Sequence, residues 1–323
     1  MTSRLAVVMI GVSPHEVRMV NGLLRVEDLV EEDEIRLLLQ ARTATDELID
    51  LEQLRNGVTP EAVVRLFRTV RHPSMPILLG RTDLEGLGPV VVYAGAPSVS
   101  ARALLDGPLP SLHAVLRMVE RVASVLTAAH AAGVCHRDLH LGQVRVEVSG
   151  VVRLHGWAAA ASGARNRRIT FDTAAYLAPE ALQRRDVWAS DVYALGVVLL
   201  ELVAGQRVTP ASVSVARAEG LEGSIRARVP GVDPGALDDL VGLIRAMLDE
   251  DWEARPLAME VARRCTRLGA RIPGIDLLRY ATSRVPATLA VRGPAAGWAG
   301  RRLVPRVSAP APQLTIGWTL ARA

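Results

Sequence analysis

The chain has 323 residues, half of them hydrophobic and 22% charged, which is enough apolar material for a large core and excludes wholesale disorder. No run of eighteen or more uncharged apolar residues occurs, and the first residues show no signal-peptide cleavage site, so we expect neither a transmembrane segment nor secretion. Two cysteines, Cys135 and Cys265, give no disulfide framework and no metal-ligand spacing. We therefore expect a cytoplasmic protein without a metal site.

The basic residues are unusual in kind and in distribution. All 38 are arginine, so any mechanism that needs a lysine amine lacks its usual residue. Residues 261–323 hold eleven arginines and one acid, a net charge of +10, whereas residues 1–260 hold 27 arginines and 33 acids, a net charge of −6. Arginines in a Pro/Ala-rich extension most often only keep it solvated. Because no aromatic-interleaved basic motif supports it, we expect no specific nucleic-acid recognition.

The amino-terminal part of the chain predicts short strands and one helix. The strand candidates are the apolar or β-branched runs Leu5–Gly11, Ile35–Gln40 and Gly88–Tyr93. Thr59–Val70 begins with Thr and Pro, has Glu61 at capping distance and continues with apolar residues at helical spacing. That pattern predicts a capped helix.

Beyond residue 100 the sequence becomes helical in character. The predicted helices are Ser111–Ala132, Ser190–Ala204, Pro234–Leu248 and Leu257–Leu268. The second of these is apolar almost all round, which indicates a buried helix. From residue 271 onward the periodicity fades, and we expect a mostly irregular tail with one helix near Asp276–Ser283.

Five short segments occur in an order that is hard to obtain by chance. They are Arg71-His72-Pro73, His130–Leu139, Thr173–Glu180, Ser190–Gly196 and Arg255 within DEDWEARP. Together they resemble the bacterial Ser/Thr protein kinase family, whose H-R-D catalytic loop, A-P-E segment and following buried helix they match. The resemblance is strong from Arg71 to Leu268.

The resemblance implies a fold class and a domain organisation. We expect an α+β, two-lobed protein-kinase-like fold with a degenerate, β-rich small lobe in residues 1–95. A large helical lobe would span residues 96–270, followed by an irregular basic tail over residues 271–323.

The resemblance also implies roles for individual residues. Asp138, flanked by His136 and Arg137, falls where the family keeps its catalytic base. Three further positions match structural residues of the family: Glu180 would pair with Arg255, and Asp191 would accept hydrogen bonds from the catalytic-loop backbone. Thr173 would face the substrate. The segment before it is made basic by Arg165, Arg167 and Arg168.

The groups that hold the nucleotide in the family are missing. The segment Gly11–Val17 lacks the flexibility of a Gly-rich phosphate loop, and the strand that we match to the lysine strand, Ile35–Gln40, contains no lysine. Arg36 or Arg42 could stand in, with a different geometry. The helix glutamate falls near Val63, and Glu61 two residues away would point to another face.

The metal ligands are also changed. Gly156 stands where the family has its magnesium-binding Asp, and Gln143 stands at the position of the second ligand, an Asn. His140 and Trp157 give a secondary similarity to aminoglycoside phosphotransferases, which share the fold. A metal role for His140 and His155 is less expected than packing or a surface position, which two histidines more often have.

These observations predict a pseudokinase that acts as a binding or regulatory scaffold, in which Asp138 is a relic of the catalytic base. We expect it to have no cofactor. Its expected partners are proteins, such as a true kinase or its substrate. The alternative is an atypical Ser/Thr kinase that binds ATP and magnesium, with Asp138 as the base, Arg36 or Arg42 on the phosphates and an acid such as Asp172 on the metal. A third possibility is a transferase of another group, for which the sequence gives no positive sign.

Overall fold

The fold was analysed in a computed structural model. It describes residues 23–32, 36–55, 57–163, 171–183, 185, 187–218, 223, 225–226, 231–292 and 297–305. The predictions for Leu5–Gly11, for Gly11–Val17 and for Arg165, Arg167 and Arg168 lie outside these residues.

The small lobe is an antiparallel sheet with one helix on it. Its strands in chain order are β1 (Leu24–Glu32), β2 (Arg36–Arg42), β3 (Leu48–Leu54), β4 (Leu78–Leu84) and β5 (Gly88–Ala94). They lie in the order β4-β5-β3-β2-β1, with one short carboxy-terminal strand added beyond β1. Alternate residues such as Leu37, Leu39 and Leu51 fill the core on one face of the sheet. The intervening polar residues therefore face the opposite side, toward the cleft between the lobes.

The structure corrects one strand assignment. The predicted strand at Ile35–Gln40 exists, as β2, but it is the second strand of the sheet and not the third. In protein kinases the phosphate-binding lysine lies on the third strand. Here that strand is Leu48–Leu54, whose buried polar residues are Asp50 and Glu52. The residues between β1 and β2, positions 33–35, read Asp-Glu-Ile and include no glycine.

The helix of the small lobe forms as its caps predict. Helix α1 spans Pro60–Thr69, and the Thr59 hydroxyl accepts a hydrogen bond from the N–H of Ala62 at 3.3 Å. Its apolar face buries Val63, Val64 and Leu66. The predicted helix Thr59–Val70 is thereby confirmed.

A short sheet and several short helices connect the lobes and follow the catalytic loop. The sheet consists of β6 (Ser98–Ser100), β7 (Val144–Glu147) and β8 (Val152–Leu154), with a 3-10 helix at Ala103–Asp106. The short helices are α3 (Ala158–Ser162), α4 (Phe171–Ala174) and α5 (Pro179–Leu182).

The large lobe packs long helices around one continuous core. They are α2 (Leu112–Ala131), α6 (Trp188–Ala204), α7 (Pro210–Ala218), α8 (Pro234–Met247) and α9 (Ala258–Arg271). The four helices predicted here are confirmed, and α6 is buried along nearly its whole length. Together the two lobes confirm the predicted α+β architecture. Within the described part of the chain, no helix is both long and apolar enough to cross a bilayer.

The tail departs from the prediction of an irregular segment. Helix α10 spans Leu277–Arg292, twice the predicted length, and contains Pro286. A final strand, β9 (Arg302–Leu303), pairs with the outer edge of β1. Tyr280 on α10 donates to the carbonyl of Pro108 at 2.9 Å. The tail therefore contacts both lobes. Its overall composition does not show that individual apolar residues, such as Leu303, are buried in the core of the small lobe.

Candidate functional site

The catalytic-loop histidine is a buried structural residue. His136 is fully buried, and its Nε2–H donates to the carbonyl of His155 at 2.7 Å while its Nδ1 accepts from the N–H of Asp138 at 3.3 Å. Its ring lies edge-on to Trp157 at 4.7 Å. Burial lowers the pKa of His136 to about 4, although Asp191 acts in the opposite direction. The ring is therefore neutral near pH 7.

Asp191 holds the backbone of the same loop. Its carboxylate accepts hydrogen bonds from the N–H groups of His136 at 2.7 Å and Arg137 at 2.9 Å, and from Nε2 of His130 at 2.9 Å. Burial alone raises the pKa of Asp191, but the hydrogen bond from His130 and the surrounding donors outweigh it and hold the pKa below its ordinary value. The carboxylate of Asp191 on α6 thus holds the backbone of the catalytic loop in place through charge-assisted hydrogen bonds.

Asp138 is held by its neighbour Gln143. The Gln143 side-chain nitrogen Nε2 donates to the Asp138 carboxylate at 3.2 Å and lies 3.0 Å from Nε2 of His140. Asp138 is 9% exposed and Gln143 is fully buried. The carboxylate at the family's base position is therefore present and partly engaged within its own loop.

An arginine of the small lobe crosses the cleft to this loop. Arg36 on β2 is 1% exposed, and its Nη2 donates to Oε1 of Gln143 at 2.5 Å. Its Nη1 lies 3.3 Å from Oε1 of Glu52, whose other oxygen accepts from the Tyr93 hydroxyl at 2.7 Å. We call Tyr93, Glu52, Arg36, Gln143 and Asp138 the cleft network. It links the two lobes through charge-assisted hydrogen bonds.

The position of the family's magnesium-binding Asp is closed. Gly156 has a φ of +84°, a conformation that L side chains rarely adopt. A Cβ placed on it would lie 2.5 Å from both Cδ and Oε1 of Gln143. The amide of Gln143 thus fills the space into which an Asp at position 156 would project.

The residues present do not fit a magnesium–nucleotide complex. Magnesium prefers carboxylate and other oxygen ligands in near-octahedral geometry. Gly156 offers no side-chain oxygen, and Oε1 of Gln143 already accepts a hydrogen bond from Arg36. Among the described residues, no group of three or more His, Cys, Asp or Glu side chains is placed to hold a metal ion.

Two further charged residues lie buried at the inner end of the cleft. Asp50 on β3 accepts from Nε2 of Gln40 at 2.9 Å, and Arg145 on β7 donates to the hydroxyl and carbonyl of Ser98 at 2.8–3.1 Å. Burial raises the pKa of Asp50 to about 6, and Arg145 opposes the rise. Sequence reasoning missed Asp50, Glu52 and Arg145. The alternation of apolar and acidic residues in LIDLEQL was the available signal for the first two.

Helix α1 sends no carboxylate into the cleft. Val63 is fully buried, in a small cluster with Tyr93 and with Ala158 of α3. Glu61 lies on the outer side, where it pairs with Arg81 at 2.6 Å with both side chains about half exposed. The expectation that Glu61 points to another face agrees with this position.

The remaining predicted residues separate into buried and surface positions. Arg42 is a surface residue that pairs with Asp46 at 3.4 Å and with Glu27 at 3.7 Å, so only Arg36 of the two candidate arginines lies in the cleft. Thr173 lies in α4, where the side chain of the neighbouring Asp172 is outside the described structure. His155 is buried, and burial, followed by Arg145, holds its pKa well below the ordinary value.

Glu180 and Arg255 form a buried pair in the large lobe. Two guanidinium nitrogens of Arg255 donate to the two carboxylate oxygens of Glu180, at 2.7 and 3.0 Å. Ser190 adds a third hydrogen bond to the carboxylate at 2.6 Å, and Nε of Arg255 donates to the carbonyl of Asp249 at 2.7 Å. The arrangement satisfies both charges, as a buried ion pair requires.

Comparison with known proteins agrees with this architecture. The family model described as "Protein kinase domain" matches residues 103–264, half of the chain, and the chain belongs to that family. It is similar to bacterial members: it is 34% identical over 190 residues to the serine/threonine-protein kinase PknL of Mycobacterium tuberculosis, covering 54% of this chain and 46% of PknL.

Two other bacterial kinases match shorter regions. The chain is 38% identical over 102 residues to the serine/threonine-protein kinase PknA of Mycobacterium tuberculosis, covering 30% of this chain and 24% of PknA. It is 34% identical over 134 residues to the serine/threonine-protein kinase drp72 of Corynebacterium efficiens, covering 39% and 26%. The chain thus spans less than half the length of each of these relatives.

Proposed function

We propose that this protein is a pseudokinase: a protein-kinase domain that acts by binding other proteins and does not transfer phosphate. The observation that carries the proposal is the hydrogen bond between Arg36 and Gln143, which places a small-lobe guanidinium on the catalytic-loop residue at a family metal-ligand position. Asp138 is then a retained structural residue, since catalytic groups of this kind act as a unit.

The charges of the cleft support the same conclusion. A triphosphate would have to separate Arg36 from Glu52 and Gln143, which are buried with it. Breaking a buried ion pair by removing one partner typically costs about 3–5 kcal/mol. The phosphates would then meet the carboxylates of Asp50 and Glu52 on the third strand, where the family has a lysine. Like charges at close range in a buried site repel strongly.

The test is ligand binding by the whole chain. We expect the melting temperature to be the same with and without millimolar MgATP, because neither the phosphates nor the metal have a place to bind. The measurement is differential scanning fluorimetry, repeated with ATP in EDTA and with magnesium alone. An increase of several degrees that Asp138→Ala abolishes and the surface control Asp238→Ala retains would contradict the proposal.

One observation favours a second candidate, an atypical Ser/Thr kinase. Arg36 brings a cation into the cleft beside Asp138's loop, as the alternative reading of the sequence requires. In that mechanism Asp138 would accept the proton of the substrate hydroxyl and Arg36 would move from Gln143 to the phosphates. Transfer of radiolabelled phosphate from ATP that depends on both Asp138 and Arg36 would favour this candidate over the first.

The partners follow from the proposed class. Relatives named as serine/threonine-protein kinases indicate a partner that is itself a kinase of this family or one of its protein substrates. A cytoplasmic location belongs to the same proposal. It is supported by the two cysteines, which do not form a disulfide with each other in the structure.

A further inference from the structure

A preformed groove lies on the outer side of α1. None of its lining residues belongs to the cleft network, although Phe67 contacts Tyr93 of that network, with 5.6 Å between the ring centroids. It has a volume of about 740 Å³ and is lined by the second half of α1, the loop from Val70 to Leu78 and one residue of β8. Its floor is apolar, with Phe67 and Met75, and Ile77 at its side is 50% exposed. Volumes of this size accommodate several side chains of a ligand. A ligand side chain that covers Ile77 and the apolar floor would remove apolar surface from water, which is favourable.

The wall of the groove is fixed by hydrogen bonds before any partner arrives. Nη1 of Arg153 donates to the carbonyls of Pro73 and Met75, both at 2.9 Å. Nδ1 of His72 accepts from the N–H of Ser74 at 3.0 Å, and its Nε2–H donates to the hydroxyl of Ser124 at 2.9 Å. The loop is therefore tied to both α2 and β8. A preformed surface loses little conformational entropy on binding.

The rim of the groove is positively charged. Its lining includes Arg68, Arg71 and Arg153 but no Asp or Glu, and of the three arginines Arg153 is paired with Glu147. Arg68 and Arg71 are exposed, and among the described residues neither forms an ion pair with a carboxylate. Burial, followed by the charge of Arg121, lowers the pKa of His72, with Glu120 acting in the opposite direction. The two exposed guanidinium groups are thus available to a ligand that brings carboxylates.

We propose that this groove binds an acidic peptide segment of a partner protein, with one large apolar side chain seated on Phe67, Met75 and Ile77 and flanking carboxylates paired with Arg68 and Arg71. The mode combines a buried anchor with electrostatic complementarity at the rim. The terminal segments of this chain lack the required charge. Residues 306–323 contain two arginines and no acid, and residues 1–22 contain two arginines and one glutamate.

The inference rests on the proposed function in one respect. A kinase domain that acts by binding other proteins needs a surface for its partner, and the groove would be that surface. Binding of MgATP would overturn the pseudokinase proposal and leave the groove untouched. Conversely, loss of the groove proposal would leave the closed cleft as it is. The two tests therefore fail separately.

The experiment selects ligands without assuming the partner. A phage library of random twelve-residue peptides is selected against the full chain, and the enriched peptides are synthesised with a fluorescein label and titrated by fluorescence anisotropy. We expect enriched peptides to be acidic with a central aromatic or aliphatic residue. Arg68→Glu combined with Arg71→Glu, and separately Ile77→Asp, should each weaken their binding at least tenfold. Arg263→Glu, an exposed arginine on α9, should change it less than twofold.

Three results would overturn the proposal. The first is enrichment of peptides without acidic residues, and the second is binding that the groove variants leave unchanged. The third is a dimer in light scattering that Ile77→Asp converts to monomer, since the groove would then hold a second copy. Melting temperatures of the variants within two degrees of the parent show that each is folded, which is expected because all four substituted positions are exposed.

Discussion

The side chain of Gln143 occupies the space that any side chain at position 156 would need, since a Cβ on Gly156 would lie 2.5 Å from its Cδ. The two departures from the kinase pattern are therefore one structural change. Glutamine reaches one methylene further than asparagine, and its amide enters the volume that a metal-binding Asp would fill. Restoring either residue alone does not restore the site, because Gln143 blocks an Asp at position 156 and Gly156 supplies no side-chain oxygen for the metal.

The first prediction concerns this contact. Gly156→Ala is expected to lower the free energy of unfolding by about 1–3 kcal/mol more than Gly163→Ala, because overpacking a filled site costs about that much. Gly163 is a matched control, since its φ of +73° is as unfavourable for alanine but nothing lies within 4 Å of its Cβ position. Urea denaturation of the purified variants measures the difference.

A double-mutant cycle separates the steric term from any other effect. Gln143→Ala removes the atoms that the new methyl group meets, so the cost of Gly156→Ala should fall toward that of Gly163→Ala in this background. Equal costs of Gly156→Ala with and without Gln143 would show that the contact is not what requires glycine.

A second prediction concerns the arginine that links the lobes. Arg36→Met is expected to cost about 3–5 kcal/mol, because it leaves the carboxylate of Glu52 buried without its ion-pair partner. Adding Glu52→Gln should recover much of that loss by removing the charge. Arg42→Met is the control on the same strand, where an exposed pair contributes less than about 1 kcal/mol. If both arginine variants lose the same stability in urea, Arg36 does not join the lobes as described.

The sequence predicted the scaffold better than the cleft. Caps at Thr59 and the helical period after it locate α1, and the H-R-D and A-P-E segments place Gln143 and Gly156, because local chemistry and order along the chain define them. The inner wall of the cleft could not be assigned in the same way. No lysine marks the third strand, so the sequence matches the apolar run of β2 to it. The acidic residues of β3 are poor strand formers, and for that reason the pattern does not predict a strand there.

The tail shows the same limit from composition. The composition of residues 271–323 predicted an irregular extension with one short helix, whereas the observed helix continues through Pro286, a residue that local preference disfavours inside a helix. The side of α10 that buries Tyr280, Ala281 and Val285 supplies the tertiary contacts that override this local preference.

The third prediction follows from the buried acid of β3. The pKa of Asp50 is about 6 in the folded protein, raised by burial from an ordinary value of 3.8. Between these pH values the folded state binds more protons, so stability falls as pH rises from about 4 to 6 and the full cost is present above pH 6. Asp50→Asn is expected to raise the free energy of unfolding at pH 7.5 by about 1–3 kcal/mol, and to give little gain at pH 4.

Urea denaturation at pH 4, 6 and 7.5 tests this, with the exposed Asp238→Asn as a control that should change nothing. His136 acts with the opposite sign. Its folded pKa of about 4 lies below the ordinary 6.5, so its contribution is present above pH 6.5 and is lost as pH falls toward 4. A gain from Asp50→Asn that is the same at pH 4 and pH 7.5 would show that the ionised carboxylate is not destabilising.

The last prediction concerns the strand that the tail adds to the small lobe. Backbone hydrogen bonds join Val26 N–H to the carbonyl of Arg301 at 2.9 Å and Glu85 N–H to that of Val304 at 2.8 Å, while the Leu303 side chain is buried in the core of the sheet. Leu303→Asp places a charge there and should release β9, so the amides of Val26 and Glu85 should exchange with deuterium at least tenfold faster. The amide of His136, which donates to Asp191 in the large lobe, should keep its protection.

Leu278→Asp is the matched control, because Leu278 is 57% exposed on α10. Unchanged exchange at Val26 and Glu85 in the Leu303 variant would mean that the sheet edge is protected without β9.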